Sequence, residues 1–566
     1  MWPIVMYHTV DIRTIDVSQN RCSETRARWA TIFATTPPSF LRLRSMTPPH
    51  HRVVNRVVAL RFHATVIRVC VSADIARMLT AVLERDKTEE ECGERRLMAN
   101  LQRRVHVLAV PFPASGHMLP LLDLTHLLSA RYGFAVTFVV TPKNLPHLSP
   151  LLARCPAVAP LVLPFPDNTN LPPGVENAGP LYDVRLLMRE LSGLHDPLLR
   201  WARSWTDPPT AVLSDFFCGW TNGLATELGI PHLVFSPSGA LCLALVHSLW
   251  RRMPNISDPD DPDELVPFPS LPRSPLYPWH HLSGIYRRYE EGDPLSEFIK
   301  ASFLANIGSW GFVFNTFAEI EKPYLEHLRD DLGHARVWGV GPLAPPGGGG
   351  ERGGPSLVGA EEVAAWLGNC AEGSVVYVAF GSLAELSPAQ AAALAAGLEQ
   401  SGARFVWATR GVVLLPEGFE ERVAGRGLVI QGWAPQVAIL NHPAVGSFVT
   451  HCGWNSVLEA VTAGVALLTW PMGADQFSNA RLLEEEVGTG VKACKGGDSV
   501  PDPDELARVV AESVGEEGRA RREKARELAR RAAAAVEVGG SSYMDLSEVA
   551  AELSEVAAAK QIKHSR

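Results

Sequence analysis

The chain has 566 residues, 46% hydrophobic and 20% charged, with a formal net charge of -9. That length exceeds one hydrophobic core and implies at least two domains, while the acidic balance argues against nucleic acid as the main partner. Nine scattered cysteines with no CxxC pair argue against a disulfide framework or zinc site and for a reducing, cytoplasmic setting, and no apolar run reaches the roughly 18 residues of a membrane span.

Residues 1–97 differ from the rest, since positions 1–80 carry 11 Arg against 4 acidic residues with no sustained apolar period. Two readings stand: an organelle transit peptide, or an atypical extension, disordered or an artefact of the gene boundaries. Met98 begins MANLQRRVHVLAV, which has the look of a natural start running into a buried strand.

Alternation follows. VHVLAVP (105–111) is an apolar run of strand length, 118–130 has helical spacing through Leu121, Leu124, Leu127 and Leu128, and AVTFVVT (135–141) is a second strand. AVLSD (211–215), HLVFS (232–236) and FVFNTF (312–317) repeat the theme. Residues 256–278, rich in Pro and Asp, predict a surface loop, and PLAPPGGGGERGGPS (342–356) predicts a flexible linker. Strands are then expected at 375–380, 404–409, 428–431, 446–450, 466–470 and 489–492, with helices between them. A charged helical stretch (517–537) precedes GGSS (539–542), which stops it and caps a last helix ending near 558.

Continuous apolar strands separated by helices imply parallel sheets covered on both faces. The expected fold class is α/β, two doubly wound Rossmann-like domains facing a cleft. The boundaries are 98–341 for the first domain, 342–357 for the linker and 358–538 for the second, with a helix at 539–560 packing back on the first. Ligands in such folds sit at the carboxyl ends of the strands.

The chemistry concentrates at those ends. His117 follows the first strand at the start of a helix, where the dipole disfavours a positive ring and leaves the imidazole able to accept a proton. Asp215 closes the strand AVLSD and can either orient such a ring or cap the next helix. Phe216, Phe217 and Trp220 wall an apolar pocket or belong to the core. Ser236 and Ser238 follow the neighbouring strand.

Trp433–Gln476 is the densest stretch. Trp433 is a base-stacking platform or a core aromatic. The strand 446–450 runs into His451-Cys452-Gly453-Trp454-Asn455-Ser456. Gly453 permits close approach, Asn455 and Ser456 suit a helix N-cap and first turn, and the free N–H groups there suit phosphate, with His451 adding a donor. Glu459 is a ribose ligand or an exposed helical glutamate. Asp475 and Gln476 stand at another strand end and can hold sugar hydroxyls, or Asp475 caps the helix. Gly381 and Ser382 after strand 375–380 offer a second phosphate approach or an ordinary strand-to-loop turn.

This 44-residue segment resembles the signature of plant family 1 UDP-glycosyltransferases, intact in length and ending in Gln, and the resemblance runs from about 103 to 558. It implies a GT-B fold with acceptor binding in the first domain and UDP-sugar binding in the second. It implies that Trp433 stacks on the uracil, that Gln436 and Glu459 hold the ribose, that His451, Asn455 and Ser456 bind the diphosphate, and that Ala434 and Gly453 belong to the same UDP-sugar site. Trp454, Asp475 and Gln476 are implied to contact the sugar, with a terminal Gln pointing to UDP-glucose. His117 and Asp215 match the family's catalytic pair within its PFPxxGH and SDxF patterns.

The expected activity is inverting transfer of a hexose, most simply glucose, from UDP-sugar to a hydroxyl of a small apolar acceptor such as a flavonoid. No cofactor and no metal are expected, the UDP-sugar being a co-substrate, and the chain is expected to be a monomer. Asp258–Asp261 (DPDD) mimics a DxD metal motif but lacks a preceding strand. The GxGxxA matches at 339–344 and 488–493 open no helix, which disfavours a dehydrogenase, and the lack of GxSxG disfavours an α/β-hydrolase. The rivals are a catalytically silent UDP-sugar-binding protein and another GT-B enzyme, such as a sugar-nucleotide epimerase.

Overall fold

The computed structural model describes residues 55–62, 65–72 and 105–564, except 154, 180–181, 259, 344–357, 382–383 and 410–414. Most of the N-terminal extension, Ser382 and nearly all of the expected linker therefore lie outside the described residues. The chain divides into two compact units, Met1–Asn100 and Leu101–Arg566. In the first, Asn55–Phe62 and Thr65–Ser72 pair antiparallel, Asn55 opposite Ser72 and Phe62 opposite Thr65. No strand was expected there, and the Val-rich composition of both segments is what favours the ladder.

The second unit holds two parallel sheets. The first contains seven strands: β1 (His106–Val110), β2 (Ala135–Val140), β3 (Val158–Val162), β4 (Ala211–Asp215), β5 (His232–Ser236), β6 (Gly311–Phe314) and β7 (Val337–Gly339), in spatial order β7-β6-β5-β4-β1-β2-β3. The second contains six: β8 (Val375–Ala379), β9 (Arg404–Thr409), β10 (Gly427–Gln431), β11 (Val445–Thr450), β12 (Ala466–Thr469) and β13 (Gly490–Lys492), in order β10-β9-β8-β11-β12-β13. Strand order reverses between β1 and β4 in one sheet and between β8 and β11 in the other. Crevices open at such points, outside the carboxyl ends of the strands.

Alternation along β1 shows why these strands read as unbroken apolar runs. Leu108 and Val110 face one core layer, Val107 and Ala109 the other, and all four are buried. The stretch 256–278 is more ordered than a loop, because Leu265–Pro267 and Leu276–Pro278 pair as a short antiparallel hairpin. Asp258 and Asp261 accept backbone N–H bonds from Asp260 and Asp263, so this acidic run closes its own turns.

Two prolines inside helices have consequences. Helix α1 (Ser115–Tyr132) starts three residues earlier than the spacing predicted and contains Pro120. Lacking an N–H, Pro120 leaves the carbonyl of Gly116 without its helical partner. After α2 (Ala240–Arg252), helix α3 (Ala318–Leu332) contains Pro323 and is non-helical at Glu321 (φ -133°, ψ 22°). The carbonyl freed at Glu319 accepts from Arg531, 3.1 Å away.

The last helix, Ser541–His564, lays Leu546, Val549, Leu553 and Ala557 on the layer beneath β1, β4 and β5. At its start Asp545 accepts the Gly339 N–H at 2.7 Å. Burial pushes its carboxyl from 3.8 up to about 6. The folded chain thus holds this proton more tightly than the unfolded chain, and the stabilisation, full below about pH 4, is lost as pH rises through about 6. Asp545→Asn is expected to raise the thermal midpoint by about 2–4 °C near pH 7.5 and to leave it unchanged near pH 4, read by scanning calorimetry.

Candidate active site

Both switch points open into one cavity of about 1180 Å³. On the first-sheet side, α1 carries His117 and β4 ends in Asp215. His117 Nδ1 lies 2.9 Å from Asp215 Oδ2. Asp215 is fully buried, and its other oxygen accepts the Phe217 N–H at 2.9 Å, so the carboxylate cannot turn away. Phe216 stacks on the imidazole (centroids 5.6 Å apart, planes 9° apart), while Phe112 and Phe217 flank it at 5.3 and 4.8 Å. Nδ1 is thereby engaged, and Nε2 is the nitrogen left for proton transfer. Phe216, Phe217, Leu245, Val246, Leu249 and Phe303 give this end of the cavity apolar walls. Trp220 does not line it.

On the second-sheet side, Gln436 donates from Nε2 to Glu459 Oε2 at 2.7 Å and to Ser456 Oγ at 3.1 Å, and accepts from the Tyr377 hydroxyl at 3.3 Å. Trp433, half-buried, and Ala434 line the cavity beside them. His451 follows β11 with its ring between Gly381 and Gly453, where a Cβ on either glycine would stand 2.5 Å from the ring. Burial lowers its pKa to about 4, so it is neutral near pH 7 and has one N–H to give. Its Nδ1 is buried without a partner among the described residues.

Helix α4 (Trp454–Ala463) begins one residue before Asn455, with Gly453 as N-cap and no side-chain cap. This corrects the expected N-cap at Asn455, which stands inside the first turn together with Ser456. Asn455 Nδ2 instead donates to the Gly116 carbonyl at 2.9 Å, the acceptor that Pro120 leaves free. Ser456 Oγ accepts from Gln436 Nε2 at 3.1 Å and keeps its own O–H to donate. What α4 presents to an anion is therefore its backbone N–H groups, with the Ser456 O–H beside them. Trp454 is buried and its Nε1 donates to the Asn315 carbonyl at 2.7 Å, so its polar atom spans the cleft instead of facing a ligand.

Asp475 precedes α5 (Gln476–Arg481) without capping it. Burial pushes its carboxyl up, and the neighbouring Asn479 and Ser238, the latter from the first-sheet side, offset part of that rise. Gln476 Oε1 accepts the Met472 and Gly473 N–H groups at 2.8 and 3.0 Å. That spends its acceptor on the turn and leaves its amide donors for a sugar hydroxyl. Cys452 (φ 64°) and Ala474 (φ 51°) are left-handed non-glycine residues, and such backbone strain collects at ligand sites.

The profile of the family described as "UDP-glucoronosyl and UDP-glucosyl transferase" matches residues 358–497. A flavonol 3-O-glucosyltransferase of Arabidopsis thaliana (UGT89B1) is 50% identical over 460 residues, 79% of this chain and 96% of that protein. The chain belongs to the plant family 1 UDP-glycosyltransferases. The crystal structure of Arabidopsis thaliana UGT89C1 with UDP-L-rhamnose superposes with a TM-score of 0.67 at 39% identity, covering 80% of this chain and 99% of that one. The same enzyme with quercetin gives a TM-score of 0.65 at 38% identity, covering 80% and 100%. This UDP-glycosyltransferase thus has the two-sheet GT-B architecture, and among its described residues no helix is long and apolar enough to cross a membrane.

Sequence reasoning missed Gly116 and Asn315, the carbonyls through which the first-sheet side of the transferase receives Asn455 and Trp454. Pro120, four residues after Gly116, is the one local signal that a carbonyl there needs an outside donor.

Proposed function

We propose that the chain transfers glucose from UDP-glucose to a hydroxyl of a flavonol in one inverting displacement. The 2.9 Å contact between His117 and Asp215 beside the apolar end of the cavity carries this reading. The acceptor O–H proton passes to His117 Nε2, the oxygen bonds to the anomeric carbon, and the bond from that carbon to the diphosphate oxygen breaks, its electrons leaving with UDP. Asp215 stabilises the imidazolium that forms. The α4 N-terminus and the His451 N–H receive the negative charge on the leaving group. Trp433 stacks on uracil, worth roughly 1–3 kcal/mol by analogy with base stacking. Gln436 and Glu459 separate from each other to take the ribose hydroxyls, and Asp475 and Gln476 supply an acceptor and donors to the glucose.

Incubation with quercetin and either UDP-glucose or UDP-rhamnose, with products read by mass spectrometry, tests this. A glucoside as the main product supports it, and a rhamnoside as the main product replaces the donor. UDP binding without product from any phenolic acceptor would return the silent binding protein.

A further inference from the structure

Glu321 is completely buried at the kink of α3, yet it belongs to none of the groups above. Its Oε2 accepts the Ala240 N–H at 2.8 Å and the Thr316 hydroxyl at 2.6 Å, and its Oε1 accepts the Leu241 N–H at 2.9 Å. The carboxyl therefore closes the N-terminus of α2, where negative charge is favoured. Burial pushes its pKa up while these three donors pull it down. The approach needs Gly239, because a Cβ there would stand 2.6 Å from Oε1.

These bonds tie together two segments of the first-sheet side that each touch the second. One is the turn after β5, where the Ser236 hydroxyl donates to the Ser238 carbonyl at 2.9 Å and Ser238 lines the cavity beside Asp475. The other is the end of β6, where Thr316 adjoins Asn315, whose carbonyl receives Trp454. Pro323 and the non-helical Glu321 let the side chain leave the helix and point at both.

We propose that Glu321 is a positioning residue for the donor sugar: by tying the turn after β5 to the end of β6 it fixes the wall of the cavity against which Asp475 holds the hexose. The inference rests on the sugar-binding reading of Asp475 given above. Glu321 reaches UDP only indirectly, through Asn315 and Trp454 at the start of α4, so its loss is expected to be felt by the sugar more than by the nucleotide. A residue that only stabilises the fold would weaken UDP and UDP-sugar alike, or neither.

The test is the ratio of UDP-glucose to UDP affinity on the full chain by titration calorimetry, alongside separate KM values for donor and acceptor. In Glu321→Gln the amide puts a donor against donors. UDP-glucose binding is expected to weaken about tenfold relative to UDP, with the donor KM rising and the acceptor KM steady. Thr316→Val, which removes one hydroxyl and keeps the carboxyl, is expected to change the ratio about threefold and decides the matter if the first variant does not fold. An unchanged ratio in the folded variants overturns the proposal even where thermal stability falls. A wild-type chain that binds UDP-glucose but forms no glucoside would sink the transfer reading and leave this ratio as an independent test.

Discussion

His117→Ala is expected to lower kcat for glucoside formation by about 10²- to 10⁴-fold while UDP-glucose affinity stays within about twofold of wild type. The first half follows from the loss of a proton acceptor. A phenolic or alcoholic hydroxyl is a weak nucleophile until its proton leaves, and a fixed base lowers that barrier by roughly 3–5 kcal/mol. The second half follows from position. His117 lies on the first-sheet side among Phe112, Phe216 and Phe217, whereas the residues read as nucleotide ligands belong to the second. Asp215→Asn tests the same device from behind. The amide can present its N–H to Nδ1, which moves the ring proton to Nε2 and removes the acceptor from the reacting side. A loss of about 10²-fold or more in kcat is expected, with the apolar pocket intact. Single-turnover assays with saturating donor and acceptor separate these effects from binding. Full activity in His117→Ala would remove the base from the mechanism.

Much of this site was legible because it follows topology. Alternating apolar strands and helices imply doubly wound sheets, such sheets bind at carboxyl strand ends, and His117, Asp215, His451 and Asp475 all stand there. The cross-cleft bonds were not legible. Asn455 and Trp454 donate to backbone carbonyls of Gly116 and Asn315, which lie 339 and 139 residues away along the chain. A carbonyl has no side-chain identity, so no pattern around either partner announces the pair. Glu321 was hidden for another reason: in sequence it is one of several glutamates on a helix, and only the kink beside Pro323 turns it inward. Which end of the Gln476 amide meets a ligand was hidden too, because only the Met472–Gly473 turn shows its carbonyl in use.

Gly381 could not be told from an ordinary strand-to-loop glycine, and its geometry leads to the second large effect. Gly453→Ala is expected to weaken UDP binding by more than about 100-fold. A Cβ on Gly453 would stand 2.5 Å from His451 Nε2, and one on Gly381 2.5 Å from both Cε1 and Nε2. The ring cannot escape one methyl without meeting the other glycine, and its Nδ1 edge is already buried. Relief must come from moving the His451–Trp454 turn, which starts α4, or from pushing the imidazole into the space the diphosphate would occupy. Overpacking of this kind costs about 1–3 kcal/mol, and losing a hydrogen bond to a charged ligand about 1.5–3 kcal/mol more. Gly381→Ala adds a left-handed backbone (φ 72°) to the same clash and is expected to be at least as damaging. Gly359→Ala is the control, since its Cβ would meet nothing within 4 Å although Gly359 lines the same cavity. Calorimetric titration of each folded variant with UDP reads the effect. Wild-type affinity in Gly453→Ala would mean that the diphosphate does not lie against His451 and the start of α4, and the nucleotide would have to be sought elsewhere in the cavity.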